Sequence, residues 1–426
     1  MIKLRESKEA TFHKPTKKAK LPTRVIIPLS QHFGAICEPM VKIGDQVKAG
    51  QLIGSLDKGL FSPIHASISG TVSAIQDYPH PSLGRVKAVV IDNDGADSKT
   101  EQRPRTEQEV ASLSVEHLRK IIFDAGIVGL GGAAFPAHVK LSPPKKIDSF
   151  ILNGAECEPY LTNDFALMKE KAREIIQGAK IVLKILGNPQ GYIAIENNKP
   201  EAIKIMREAI KDTNFTLKVL NSSYPQGGEK QLTKSVLNRE VPSGGLPFDI
   251  GVVVHNVGTV YAIYEAIYKS KPLYEKVVTL TGSCLSNPQN LLVRIGTTIR
   301  DLLEDCGPFK NEPAKIVFGG PMMGIAQYTL DVPVIKSTTG IIFFSKDELS
   351  NREDRVCCRC GRCVDVCPAR IMPAFITMAA EQDKFTIAKD YDIMDCIECG
   401  LCSYVCPARR DLVGLIKYAK SRLKAK

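Results

Sequence analysis

Residues 357–370 read CCRCGRCVDVCPAR and residues 396–409 read CIECGLCSYVCPAR. Eight of the thirteen cysteines fall on one repeated pattern, Cys-x2-Cys-x2-Cys-x3-Cys-Pro. Three cysteines spaced over a tight loop grip three corners of a [4Fe–4S] cubane, and a fourth before a proline reaches across to the neighbouring cluster. The pattern therefore assigns Cys357, Cys360, Cys363 and Cys406 to one centre. Cys396, Cys399, Cys402 and Cys367 go to the other. Structural zinc favours paired Cys-x2–4-Cys knuckles over two runs of four. Disulfides do not account for i, i+3 pairs that recur in this way. The stretch is expected to fold as a small helical module that carries electrons. Cys37, Cys157, Cys284, Cys306 and Cys358 are left over and read as small buried hydrophobes. Cys358 could stand in for Cys357, but the register starting at Cys357 fits the pattern better.

Outward from this module, Leu412, Leu415, Ile416, Ala419 and Leu423 lie on one face of a C-terminal helix, a stripe expected to pack against the protein. The formal net charge of +11 is concentrated at the two ends, since residues 1–24 and 409–426 each carry +6. Basic ends can bind acidic lipid or an acidic partner. The plainer expectation is a pair of solvated, partly frayed termini. Nucleic acid is not an expected partner, because the basic runs lack interleaved aromatics and no recognition motif is present. No apolar run reaches bilayer length and no signal-peptide core is visible. The chain is thus expected in the cytoplasm, where thiols stay reduced, with any membrane association peripheral.

At 426 residues, with 44% hydrophobic and 24% charged side chains, three or four soluble domains are expected. Residues 34–56 and 62–75 are short alternating segments broken by Gly-Asp and Ala-Gly turns, which predicts a small β-sandwich resembling a barrel-sandwich hybrid. Asp57-Lys58-Gly59 sits where a lipoyl-type lysine would, but the sequence after Lys58 does not continue as such a turn does. Residues 99–112 read as a linker. Ser114 can cap a helix that ends at Gly126. Apolar strands at 147–152, 191–195 and 250–254 alternate with helices, one running from about Phe165 to Leu186 behind Asn163 or Asp164 as cap. That order predicts an α/β layer with a mainly parallel sheet. From Val277 to Gly324 short strands and a helix near Thr298–Asp305 suggest a β-grasp domain, and the cluster module starts at Asp354. The expected domains are residues 1–110, 111–272, 273–345 and 346–426.

Clusters take one electron at a time, so two of them need a two-electron source or sink. Three motifs lie where strands give way to helices, the edge at which open α/β sheets bind ligands. They are Gly129-Leu130-Gly131-Gly132, Asn153-Gly154-Ala155-Glu156, and His255-Asn256-Val257-Gly258-Thr259. Glycines let backbone amides approach a phosphate, and a helix N-terminus adds partial positive charge. Their coincidence points to a nucleotide or flavin site.

The strings GLGGAAFPAHVKL, NGAECEPYLTNDFALM, YPQGGEKQL, REVPSGGLP, HNVGTVYAI and VFGGPMMG, with the paired cysteine runs, resemble the C subunit of the Rnf electron-transport complex. The match follows family order over nearly the whole chain, and the central part is similar to the flavin-bearing subunit of respiratory complex I. The resemblance implies a multidomain α/β protein: a barrel-sandwich hybrid, a Rossmann-like FMN/NADH domain, a soluble-ligand-binding β-grasp domain and a two-cluster ferredoxin-like domain. It implies FMN, NAD(H) and two [4Fe–4S] clusters as cofactors. The partners it implies are the membrane and iron–sulfur subunits of an ion-translocating complex, with ferredoxin reached indirectly, at the cytoplasmic face of the bacterial inner membrane.

By position, the resemblance has Gly129, Gly131 and Gly132 admit the flavin or dinucleotide, and Lys140 lie near it as a cation. Asn153 and Glu156 would contact the flavin ring or ribityl chain. Tyr224 to Glu229 would form a second loop, with Gly227 and Gly228 allowing close approach. Asn256 and Thr259 would hold the phosphate. Phe135 would stack on the dinucleotide, with Glu158 and Glu229 nearby. Ala134 stands where the family often has glycine, Ala155 replaces a carboxylate and Cys157 a hydroxyl of the complex I pattern. FHKPTKKAK lacks the glycines expected after Phe12. Two rival readings are a soluble cobalamin reductase of a bacterial microcompartment and a non-enzymatic electron-wiring adaptor.

Overall fold

The computed structural model describes residues 1–349 and 355–424. Four parallel strands lie in the spatial order Thr216–Leu220, Gln190–Glu196, Ser149–Gly154, Val252–Asn256. Runs such as FILN and VVV are buried on both faces, as parallel strands under helices must be. On one face helices Val115–Asp124, Ala172–Ile185 and Val257–Lys269 pack together. On the other, Leu232 and Val236 of helix Glu229–Leu237 cover Ile151, Ala194 and Val254. The chain steps outward from Ser149–Gly154 through two strands and then returns to its other side with Val252–Asn256. Strand order therefore reverses between these two strands, and a crevice opens at their carboxyl ends.

Helix Pro200–Ala209 and the edge strand Thr216–Leu220 complete the layer; neither stands out in the sequence. The single helix expected over 165–186 is two, Asn163–Glu170 and Ala172–Ile185, broken at Lys171 with φ −132°. The first packs on strand Glu275–Thr281 and helix Pro200–Ala209, the second mainly on Val257–Lys269, so the axis must turn between them. The N-cap is Thr162, and Asn163 and Asp164 fall in the first turn.

The N-terminal domain is a sandwich of a four-stranded sheet (Arg24–Pro28, Gly84–Asn93, Gly70–His80, Gln46–Val47) and a three-stranded one (Glu38–Pro39, Leu52–Ser55, Ile64–His65). Val25, Ile27, Ile53, Ile64 and Ile91 fill its centre. The N-terminal residues before it are not frayed. Lys17–Lys18 adds a strand beside Leu291–Leu292, and Phe12 stacks on Phe165 with centroids 3.9 Å apart. Lys8 is 5% exposed and donates to the carbonyls of Glu156 (2.8 Å) and Leu161 (2.6 Å). A buried ammonium is tolerable here because oxygens replace its water.

A six-stranded mixed sheet follows, with Glu275–Thr281 between Gln289–Arg294 and Gly340–Phe344. Helix Ile299–Cys306 starts at a capping box of Thr298 and Asp301. The last domain is a set of short helices around the cysteine runs. Its terminal helix, Leu412–Lys424, buries Leu412, Ile416 and Ala419 against Ile376, Ala380 and Ile393. Asp354, where the sequence places the start of this module, lies outside the described residues. Among the described residues no helix is long and apolar enough to cross a membrane.

Candidate cofactor sites

The crevice at the sheet's reversal is built by backbone and short side chains. Asn256 caps helix Val257–Lys269, accepting from Gly258 N–H at 2.8 Å, while its Nδ2 donates to Asp164 Oδ2 at 2.6 Å. Thr259 Oγ1 accepts from Leu130 N–H at 2.9 Å and so moors the glycine run over the helix N-terminus. A Cβ on Gly131 would stand 2.7 Å from Asn256 Nδ2, whereas one on Gly132 would meet nothing within 4 Å. Gly131 and Gly132 are both exposed. The run is thus tight against Asn256 on one side and open on the other, beside a helix end that carries partial positive charge.

The opposite wall is the loop from Tyr224 to Glu229. Asn153 Nδ2 donates to Gly227 O at 2.9 Å and its Oδ1 accepts from Ala155 N–H at 3.1 Å. Gly227 N–H points at Cys157 Sγ, 3.3 Å away, and Gly228 precedes helix Glu229–Leu237. Lys140 and Glu229 form an ion pair. His255 is buried, its basicity held well below the ordinary range by burial and by the Lys140 charge. Its Nε2 has no partner among the described residues. These contacts tie Gly131 to Asn256, Leu130 to Thr259, Lys140 to Glu229 and Asn153 to Gly227, with Asn153 and Asn256 paired across the two strand ends. Phe135 lies half-buried on the loop that follows the glycine run, its carbonyl accepting from Gly129 N–H at 2.9 Å. The preceding Ala134 takes φ +52°, so the chain tolerates a methyl in the left-handed region where glycine is easier.

Three further residues from the sequence reading are engaged elsewhere. Glu156 Oε1 accepts from Asp164 N–H at 2.6 Å, at the start of helix Asn163–Glu170, and Oε2 lies 3.6 Å from Lys8. Glu158 accepts from Met322 N–H (3.2 Å) and Met323 N–H (3.0 Å) of the β-grasp domain. Tyr224 is buried, and its hydroxyl donates to Cys399 O at 2.8 Å while lying 3.3 Å from Glu158 Oε1. Asp164, which orients Asn256, was hidden in the sequence behind its plausible role as a cap.

Burial pushes Glu156 up to about 7, despite the opposing Lys8 charge. Between its ordinary value near 4.5 and about 7, the folded chain holds a proton that the unfolded chain has released. Stability from this group is therefore present below that window and falls as pH rises through it. A Glu156→Gln chain is expected to show a shallower decline of melting temperature from pH 4.5 to 7 than the parent. An unchanged slope would mean that Glu156 is not the buried acid the packing makes it.

The cysteines form two groups, each drawing its fourth member from the other run. A cavity of about 390 Å³ is lined by Cys357, Cys360, Cys363 and Cys406. Cys367 lies with Cys396, Cys399 and Cys402; burial, then Cys396, Cys399 and Cys367 as neighbours, pushes the Cys402 thiol up to about 12. Iron removes that cost by binding the thiolates. Among the described residues no group of three or more His, Cys, Asp or Glu is placed to hold a single metal ion. All thirteen cysteines are free of disulfides.

The Cys396–Cys402 group is the inner one. Cys399 and Cys402 are buried, and the crevice loop reaches them through Tyr224. Asp395 accepts from Gly244 N–H at 3.0 Å and bonds the Ser243 hydroxyl, docking the PSGG turn beside it. A Cβ on Gly400 would stand 2.6 Å from Met322 O, so the β-grasp domain also abuts this run. In the other group Cys360 and the adjacent Cys358 are exposed.

Comparisons with known proteins bear on this arrangement. The RnfC barrel sandwich hybrid domain matches residues 2–96, the Nuo51 FMN-binding domain 122–265, the SLBB domain 277–326 and a 4Fe-4S dicluster domain 356–409. The C subunit of the proton-translocating ferredoxin:NAD(+) oxidoreductase complex of Clostridium ljungdahlii is 47% identical over 99% of this chain and 92% of its own length. The chain belongs to this C-subunit family. The C subunit of the Na(+)-translocating ferredoxin:NAD(+) oxidoreductase complex of Acetobacterium woodii is 44% identical over 97% of the chain and 94% of its own length. The C subunit of the ion-translocating oxidoreductase complex of Vibrio cholerae is 38% identical over 92% of the chain, which spans 51% of that longer protein. Family membership identifies the crevice domain as FMN-binding and the cysteine module as a two-cluster domain. It also favours a ferredoxin:NAD oxidoreductase role over the cobalamin-reductase and adaptor readings.

Proposed function

We propose that this chain is the nicotinamide-facing subunit of an ion-translocating ferredoxin:NAD oxidoreductase, held peripherally at the cytoplasmic face of the bacterial plasma membrane. FMN, when bound, exchanges a hydride with NAD(H) and single electrons with an iron–sulfur centre. The glycine run, Asn256 and the end of helix Val257–Lys269 hold the phosphate end. Asn153 and the Gln226–Gly228 turn hold the opposite wall at the distance their mutual hydrogen bond sets. No side chain is required as acid or base, and the protein contributes position and electrostatics.

The observation that carries this reading is the contact of Tyr224 with Cys399, which joins the crevice wall to a cluster loop in one step. The inner cysteine group is then the first station. The outer one, with Cys360 exposed, serves the membrane and iron–sulfur subunits of the same complex, and ferredoxin through them. The test is anaerobic titration of the FMN- and cluster-loaded chain with NADH, followed by flavin and cluster absorbance together. Bleaching of both is expected. A fully loaded chain that stays oxidised in excess NADH overturns the reading.

A further inference from the structure

We infer that Phe33, from the barrel-sandwich domain, is a second aromatic wall of the dinucleotide site and stacks on the adenine of NADH. The inference rests on the proposed use of NAD(H) and adds a binding residue from a different domain. Phe33 is 55% exposed, an unusual state for a phenyl ring. Its ring centroid lies 5.9 Å from that of Phe135 with the planes 30° apart, and its N–H donates to Ala134 O at 3.1 Å. The ring is therefore tied to the loop that closes the glycine run.

The turn that presents it is stiff. Ala35 N–H bonds Leu60 O at 2.9 Å, and His32 Nε2 lies 2.9 Å from Ala35 O. Gly34 takes φ +134°, where a Cβ would stand 2.0 Å from Leu60 O, so only glycine lets the chain pass and turn Phe33 outward. A rigidly held, solvent-facing ring loses little entropy when a flat partner lies on it. The paired phenyl faces are apolar and uncharged, which suits a heteroaromatic base and not a phosphate. In an extended dinucleotide the nicotinamide must enter the crevice to reach the flavin, which leaves the adenylate half for the rim.

The experiment uses the full chain loaded with FMN and both clusters, oxidising NADH or reduced nicotinamide mononucleotide with a soluble dye as acceptor. Base–aromatic contacts removed by alanine cost about five- to 150-fold in affinity. Phe33→Ala is expected to raise KM for NADH within that range while kcat, FMN content and KM for the mononucleotide stay as in the parent. Phe33→Trp is expected to restore KM for NADH. An unchanged NADH KM in Phe33→Ala, or an equal rise for the mononucleotide, which has no adenine, overturns the inference. If the parent chain oxidises neither nucleotide, the NAD reading itself fails and takes this one with it. A normal parent with an unmoved variant overturns the role of Phe33 alone.

Discussion

A Cys406→Ala chain is expected to lose the outer cluster and keep the inner one, although Cys406 belongs to the second cysteine run. The cavity lined by Cys357, Cys360 and Cys363 takes its fourth thiol from Cys406, so removing it leaves three ligands around a cubane that needs four. Iron and sulfide should fall by about half, as the loss of one of two equal clusters requires. Cys358 lines the same cavity. It follows Cys357 directly in sequence, so it competes for the Cys357 corner before that of Cys406, which comes from the other run. The surviving centre should still be reduced by NADH, because the Tyr224 contact runs to Cys399 and not to the outer group. Cys367→Ala is expected to do the reverse, halving iron while cutting off NADH reduction of the remaining cluster. Iron analysis and the spectrum of the reduced protein read both outcomes. If Cys406→Ala abolished the NADH-reducible centre instead, ligation would lie within each run and the crossed assignment would be wrong.

Much of this architecture is legible in the chain because its signals are local. Ligand spacing around Cys357 and Cys396 is set by the cubane itself. The motifs after FILN and VVV mark strand ends, and strand ends in a parallel sheet converge on the reversal of strand order. Other features depend on distant contacts. Lys8 reads as one charge of a basic tail, and nothing nearby in sequence reveals that the carbonyls of Glu156 and Leu161 receive it. The sequence from about Phe165 to Leu186 reads as one helical pattern, and the break at Lys171 follows from the two different packing partners. Glu156 and Glu158 sit in a motif that suggests ligand contact. Yet Glu156 takes φ +50° and its carboxylate meets a helix start, while Glu158 reaches the β-grasp domain. Tyr224 likewise belongs to a crevice loop by sequence and to a cluster contact by its hydroxyl. Domain docking decides Glu158 and Tyr224, and docking has no short-range signature.

Lys199→Met is expected to destabilise the crevice domain strongly, although Lys199 is none of the residues proposed to contact a cofactor. Lys199 and Glu196 are 0% and 1% exposed and 3.1 Å apart, and the ammonium also donates to Ala155 O at 2.6 Å. Burial raises the Glu196 carboxyl, and Lys199 opposes that shift most strongly. Without the ammonium, Glu196 keeps Ser223 N–H, at 3.2 Å, and the weaker influence of the Lys8 charge, and Ala155 O loses this donor. Removing one member of a buried pair costs about 3–5 kcal/mol. In a domain of this size that is a drop of roughly 10 °C in melting temperature. The unfolding transition should be followed by flavin release, since a multidomain chain has no single two-state transition. The pair also ties the Ala155 turn to Ser223, beside the two ends of the Asn153–Gly227 bond, so FMN affinity should weaken alongside stability. Adding Glu196→Leu to Lys199→Met removes the stranded charge and is expected to recover a large part of the loss, although buried-pair replacement in isolation would be close to neutral. If the double variant were as unstable as the sum of its single changes, the two groups would not be acting as a pair, and the rigidity of the crevice wall would have to come from the Asn153 bond alone.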